Sequence, residues 1–225
     1  MKPWVPLGRA PIPGSRDELQ LWQRDAEFSI RVSGAAYDLM NSRQHASEEA
    51  LADLSLPLIA ERAAPRVLIG GLGMGFTLAA ALRALPADAQ VTVAELVPEV
   101  VTWNHGPLGE VAGRPLNDPR TRVTVGDVDA VMRASPEHFD AVLLDVDNGP
   151  EGMTRSGNDG LYGPRGLANA RAALRPGGVL AVWSVDEVPR FTAALGRAGF
   201  EVQVRRVRAR GTKGGGHTVW LARTP

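Results

Sequence analysis

The sequence has no cysteine. That removes disulfides, thiolate metal ligands and cysteine nucleophiles, and it fits a reducing compartment, so a cytoplasmic location is expected. Lysine is nearly absent: Lys2 and Lys213 stand alone, and arginine supplies the other basic charges. We read this bias as genome composition rather than function. Basic and acidic residues balance at 25 each, so the formal net charge is zero. No global field draws the chain to nucleic acid or to an anionic membrane. Long apolar runs are also missing. The longest uncharged stretch, Val67 to Leu82, is full of glycine and shorter than the ~18 residues of a membrane span. Met1 to Gly14 is Pro-rich without an apolar core, so no secretory signal is expected. Histidine is sparse, and His45, His105, His138 and His217 show no ligand spacing, so no metal is expected.

What is present describes a globular chain. Apolar residues make up 44% of 225, enough for a real core in one α/β domain with a small appendage. Residues 1–63 form that appendage. Its Pro-rich opening reads as an irregular arm. Leu19 to Gln23 and Phe28 to Val32 alternate apolar and polar, the period of half-buried strands, and Tyr37 to Met40 reads as a third. A helix follows from about Ser47, with Ser47 as N-cap and Glu48 and Glu49 in its first turn.

Residues 64–225 alternate strands with helices. The strands Arg66–Ile69, Val91–Glu95, Arg122–Val125, Ala141–Asp145 and Val179–Trp183 are apolar on both sides, as in a buried parallel sheet. Helices over Phe76–Leu85, Pro98–His105, Val128–Arg133, Pro164–Leu174 and Glu187–Ala198 make repeated βα units, hence a doubly wound sheet. Phe200–Arg208 and His217–Ala222 are joined by a loop too short for a crossover helix, so they pair antiparallel. The fold class is therefore α/β: a Rossmann-like methyltransferase sheet with one antiparallel strand near its C-terminal edge. Arg205, Arg206, Arg208 and Arg210 read as a solvated basic edge strand.

The strand Val67–Ile69 runs into Gly70-Gly71-Leu72-Gly73-Met74-Gly75 and then a helix. Such a turn lets a ligand approach the backbone, with helix N–H groups aimed at it. Glu95 ends the next strand, 20 residues past Gly75, where a carboxylate accepts both hydroxyls of a ribose. Dinucleotide and S-adenosylmethionine enzymes share those two features. Gly126-Asp127 after the third strand, Asp145 at the end of the fourth, and the closing antiparallel hairpin favour the sulfonium class.

These residues resemble the spermidine synthase family. Ile69-Gly70-Gly71 is similar to the start of its Gly-Gly-Gly-Asp-Gly-Gly turn, and Val93 to Val101 to its Val-Glu-Ile-Asp-Pro-Glu-Val-Val segment. Asp118-Pro119-Arg120, Gly126-Asp127, Phe139 to Asp145, Asp159-Gly160-Leu161-Tyr162 and Leu174 to Leu180 each have a counterpart. The resemblance implies S-adenosylmethionine or its decarboxylated form, held by Gly71, Gly73, Gly75, Glu95, Leu96, Asp127, Val128 and Asp145. It implies a small-molecule acceptor near Tyr37, His45, Glu49, Asn148 and Tyr162, and a homodimer. Asp145, Asp147 and Tyr162 are the catalytic candidates, with His45 a further choice for the base. Gly149 to Gly160 reads as a lid over the substrate. Departures stand beside the matches. Gly73 replaces the aspartate that holds the donor's amine, Ser47 and Glu48 replace a tyrosine and a histidine, and Asn148 replaces the second carboxylate of Asp-Ser-x-Asp. On these departures methyl transfer to a small nucleophile is the first expectation. Aminopropyl transfer is the alternative, and an inactive nucleoside-binding module the third.

Overall fold

The computed structural model describes residues 2–35, 38–146, 160–210 and 213–225. The chain opens with β1 (Val5–Pro11), β2 (Glu18–Arg24), β3 (Glu27–Val32) and β4 (Met40–Asn41), an antiparallel sheet in that order. The Pro-rich opening is therefore a strand rather than an irregular arm. It lies at the sheet edge, where a missing N–H costs no ladder bond, and a register shift between Pro6 and Gly8 absorbs the irregularity. β4 is only two residues long; Tyr37, expected to begin it, lies outside the described residues.

Alternation sorts the faces of this small sheet. Leu19, Leu21, Phe28 and Ile30 point inward and are buried. On the other face Arg24 and Arg31 stack over the Trp4 ring, and Arg31 also lies 5.4 Å from the Trp22 ring centre. Both tryptophans thus have partners within their own chain.

Helix α1 (Ala46–Ser55) starts one residue before the expected position. His45 holds the N-cap position without a side-chain capping bond, and Ser47 is buried within the first turn instead of capping it. A 3₁₀ turn, Leu56–Ile59, leads into the larger unit.

That unit comprises β5 (Arg66–Gly70), α2 (Phe76–Ala84), β6 (Gln90–Glu95), α3 (Pro98–His105), β7 (Thr121–Val125), α4 (Val128–Arg133), β8 (Phe139–Leu144), α5 (Pro164–Ala173), β9 (Leu174–Ser184), α6 (Pro189–Arg197), β10 (Glu201–Arg210) and β11 (Lys213–Arg223). The strand order is β10-β11-β9-β8-β5-β6-β7. β5 to β9 pair in parallel, and β11 inserts antiparallel between β9 and β10. This is the Rossmann-like methyltransferase arrangement expected above. β9 starts five residues earlier than Val179, because Leu174 pairs with Phe139 across a bulge in the Pro176-Gly177-Gly178 segment.

The period of two places alternate residues in two cores. Val67, Ile69, Ala141, Leu143 and Val179 face α1, α2 and the N-terminal sheet. Leu68, Val142, Leu144, Leu180 and Trp220 face α4, α5 and α6. β8 is buried along its whole length, including Asp140. That carboxylate accepts the Arg66 backbone N–H at 2.8 Å and an ion pair from Arg175 at 3.2 Å, both at the amino edge of the sheet. Sequential strands run one way from β5 through β6 to β7, and the other way from β8. The reversal opens a crevice at the carboxyl ends of β5 and β8.

Candidate active site

The crevice is built from the ends of four strands. After β5 the chain turns through Gly71 (φ +87°), Gly73 (φ +52°) and Gly75 (φ +85°), a left-handed series that L side chains resist. A Cβ at Gly71 would collide with the Asp145 carbonyl oxygen, because the Asp145 N–H donates to the Gly70 carbonyl at 2.9 Å and brings the two chains together. A Cβ at Gly73 would meet Met40 Sδ at 2.9 Å. Asn104 of α3 fastens the turn by donating from Nδ2 to the Gly73 carbonyl at 2.9 Å. Gly75 occupies the N-cap position of α2 and does not line the cavity.

Glu95 ends β6 and is buried. Its Oε2 accepts the Leu72 N–H and its Oε1 the Val97 N–H, each at 2.8 Å. Burial pushes its pKa up, against the pull of these backbone donors and those of Gly73 and Leu96. The carboxylate borders the cavity and offers it acceptor oxygens. Leu96 beside it is an exposed apolar side chain at the cavity rim. Asp127 caps α4 by accepting the Asp129 N–H at 2.9 Å, and Val128 packs beneath Gly70.

Asp145 follows β8 and faces Glu95 across the glycine turn. Burial raises its pKa to about 6, opposed by the Thr77 hydroxyl, which donates to Oδ2 at 2.6 Å. A carboxylate poised there is mostly ionised at neutral pH and takes up a proton readily.

Together these groups bound a cavity of about 320 Å³. The inner face of the N-terminal sheet closes it with Ile12, Leu19, Ile30, Leu39 and Met40. Its described charged lining consists of Glu95, Asp127, Asp129 and Asp145, without a lysine, arginine or histidine. Asp129 is neutralised from outside by Arg133 at 3.1 Å. A second groove of about 520 Å³ lies between α5, α6 and Pro225. It sits at the amino edge of the sheet, away from the switch point, and lacks a glycine turn.

The structure brings together Gly71, Gly73, Glu95, Leu96, Asp127, Val128 and Asp145. It separates others from them. Tyr162 is fully buried with its ring edge-on to Phe191 at 5.7 Å, because the Gly163 N-cap of α5 folds it into the core. Expected at the substrate, it is absent from the described lining of the cavity. Glu49 pairs with Arg83 at 3.4 Å and with His45 at 3.5 Å, outside the cavity lining, and His45 stacks on Phe76 at 4.2 Å. The geometry of helix α1 accounts for both: its first turn lies against α2, not over the crevice. Tyr37, Asp147, Asn148 and the expected lid through 159 lie outside the described residues. Thr77, Asn104 and Met40 went unrecognised in the sequence. A threonine two residues past the glycine-rich turn is the signal for the first; the others carry none.

Glu95 is a buried carboxylate beside a turn that admits no side chain. No protein-family model and no curated protein matches the sequence. Solved structures do match. A spermidine synthase in complex with the transition-state analogue AdoDATO superposes with a TM-score of 0.74 at 17% identity, over 98% of this chain and 72% of that one. The spermidine synthase from Thermotoga maritima gives 0.75 at 17%, over 98% and 73%. A probable spermidine synthase from Corynebacterium glutamicum ATCC 13032 gives 0.60 at 16%, over 96% and 79%. The chain therefore has a spermidine synthase-like fold, N-terminal sheet included. Among the described residues no helix is long and apolar enough to cross a membrane, and no cluster of three metal-ligating side chains occurs.

Proposed function

We propose that the protein is a transferase acting on an adenosine-bearing sulfonium, and that it transfers an aminopropyl group from decarboxylated S-adenosylmethionine to a small amine. The observation that carries this reading is the acidic lining of the crevice, with Glu95 and Asp145 on either side of the glycine turn. Glu95 would hold the ribose, Asp127 and Val128 the base, and Gly71 and Gly73 the approach to the sulfur. The donor supplies a carbon on positive sulfur: an amine lone pair forms the new C–N bond while the C–S pair leaves on sulfur as a neutral thioether. Asp145 accepts a proton from the acceptor ammonium, which frees the lone pair for attack.

The charge of the described cavity lining supports the decarboxylated donor. S-adenosylmethionine carries a carboxylate on its tail, and a described lining of acids without a cation repels it in a low-dielectric site. The decarboxylated tail is a cation and suits those acids. This reverses the order of the sequence-based expectation, which put methyl transfer first. Methyl transfer keeps one supporting observation: Met40 stands at Gly73, where the family has an amine-binding aspartate.

The test is calorimetry with both donors, followed by turnover with a panel of amines. Tighter binding of the decarboxylated donor and release of methylthioadenosine are expected. Tighter binding of S-adenosylmethionine, with S-adenosylhomocysteine as product, would reverse the assignment.

A further inference from the structure

We propose that Thr77 is a positioning residue that holds the Asp145 carboxyl in one place in both of its protonation states, using a backbone carbonyl of α1 as its second partner. Thr77 is the second residue of α2 and is buried. Its Oγ1 lies 2.6 Å from Asp145 Oδ2 and 3.2 Å from the Glu48 carbonyl oxygen. A threonine in a helix commonly turns its hydroxyl back on the carbonyl four residues earlier. Here that carbonyl belongs to Gly73 and receives the Asn104 amide, and the hydroxyl reaches across to two other elements.

One hydroxyl hydrogen faces two acceptors, and that is the point of the arrangement. With Asp145 ionised, the hydrogen lies on Oδ2. With Asp145 protonated, the carboxyl O–H donates to Thr77 Oγ1, and the hydroxyl turns its hydrogen to the Glu48 carbonyl. Either way the bond between Thr77 and Asp145 is kept without a change of position by either side chain. A group that takes a proton and returns it within one cycle needs this constancy. Other acids lining the cavity are Glu95, Asp127 and Asp129; on nearby α1, Glu49 pairs with both His45 and Arg83.

The inference rests on the role given to Asp145 above, so its test needs a readout other than turnover. Carbon-13 NMR would follow the Asp145 carboxyl through a pH titration in the wild type, Thr77→Val and Thr77→Ser, with Asp145→Asn for assignment. Valine keeps the shape and removes the hydroxyl. The Asp145 midpoint is expected to move to higher pH in Thr77→Val, with kcat at neutral pH falling about tenfold and the donor KM unchanged. Thr77→Ser should restore both. An active wild type whose Asp145 titration and kcat are untouched by Thr77→Val would overturn the inference. A wild type inert toward every sulfonium donor would sink the functional reading instead. A shifted midpoint in that inert protein would reduce Thr77 to a structural hydrogen bond and overturn its positioning role.

Discussion

Asp145 carries its charge where burial disfavours it, and the sign of that cost is measurable. Its pKa is raised from the ordinary carboxylate value to about 6, so the folded state binds a proton more readily than the unfolded one. Stability is then lost as pH rises from about 4 through about 6, and the full cost applies above that. Asp145→Asn removes the charge and keeps an oxygen for Thr77. Its melting temperature should exceed the wild type by a few degrees at pH 8, with the gap closing toward pH 4, while turnover falls ~10²–10⁴-fold. Thermal melts at several pH values check the first half and steady-state rates the second; a gap that stays constant with pH would show that the charge is not the cause. Gly71 makes the opposite kind of demand. Gly71→Ala sets a methyl against the Asp145 carbonyl at a φ of +87°, so it should lower the melting temperature and weaken nucleoside binding at least tenfold by calorimetry.

Elements differ in how plainly their sequences announce them. The glycine turn and Glu95 were legible because a βα unit fixes their offset: the turn must follow one strand and the acid must end the next. β8 was legible from Ala141 on by its apolar run, while its start at Phe139 lies across Asp140. β1 was not, since Pro6 and Pro11 argue against a strand unless it is known to lie at an edge, and edges are a property of the assembled sheet. Tyr162 and Glu49 fall outside the described cavity lining for a related reason. Their local sequence resembles a substrate segment, but the packing of α5 and α1 decides which way each side chain points. Met40 went unseen because its contact with Gly73 joins positions 33 residues apart. β1 also supplies an element-scale prediction. Gly8 lies under the Trp103 indole of α3, and a Cβ there would come within 2.8 Å of Nε1. Gly8→Val should therefore cost about 1–3 kcal/mol in denaturant unfolding, through overpacking of the seam between β1 and α3. A variant as stable as the wild type would mean that the N-terminal sheet lifts off this seam without penalty.

The seam matters because the molecule is one body around the crevice. Leu19, Leu21, Phe28 and Ile30 from the small sheet share a continuous core with Leu72, Met74, Phe76, Val100 and Trp103 from the glycine turn, α2 and α3. The same small sheet supplies one wall of the cavity and the glycine turn supplies its floor, so the site exists only where the two units meet. A boundary near residue 63 therefore divides the sequence without dividing the core. A chain of residues 64–225 would expose the apolar face that the N-terminal sheet covers, directly under the glycine turn. It should lack a cooperative melt near that of the full chain, bind a hydrophobic dye, and fail to bind the sulfonium donor. The full chain should unfold in one transition, with tryptophan fluorescence and far-ultraviolet circular dichroism coincident. Trp22 and Trp103 make that comparison informative, since one belongs to the small sheet and the other to α3. If the shorter chain melted cooperatively within a few degrees of the full one, the small sheet would be a separable cover, and donor binding would have to survive its removal.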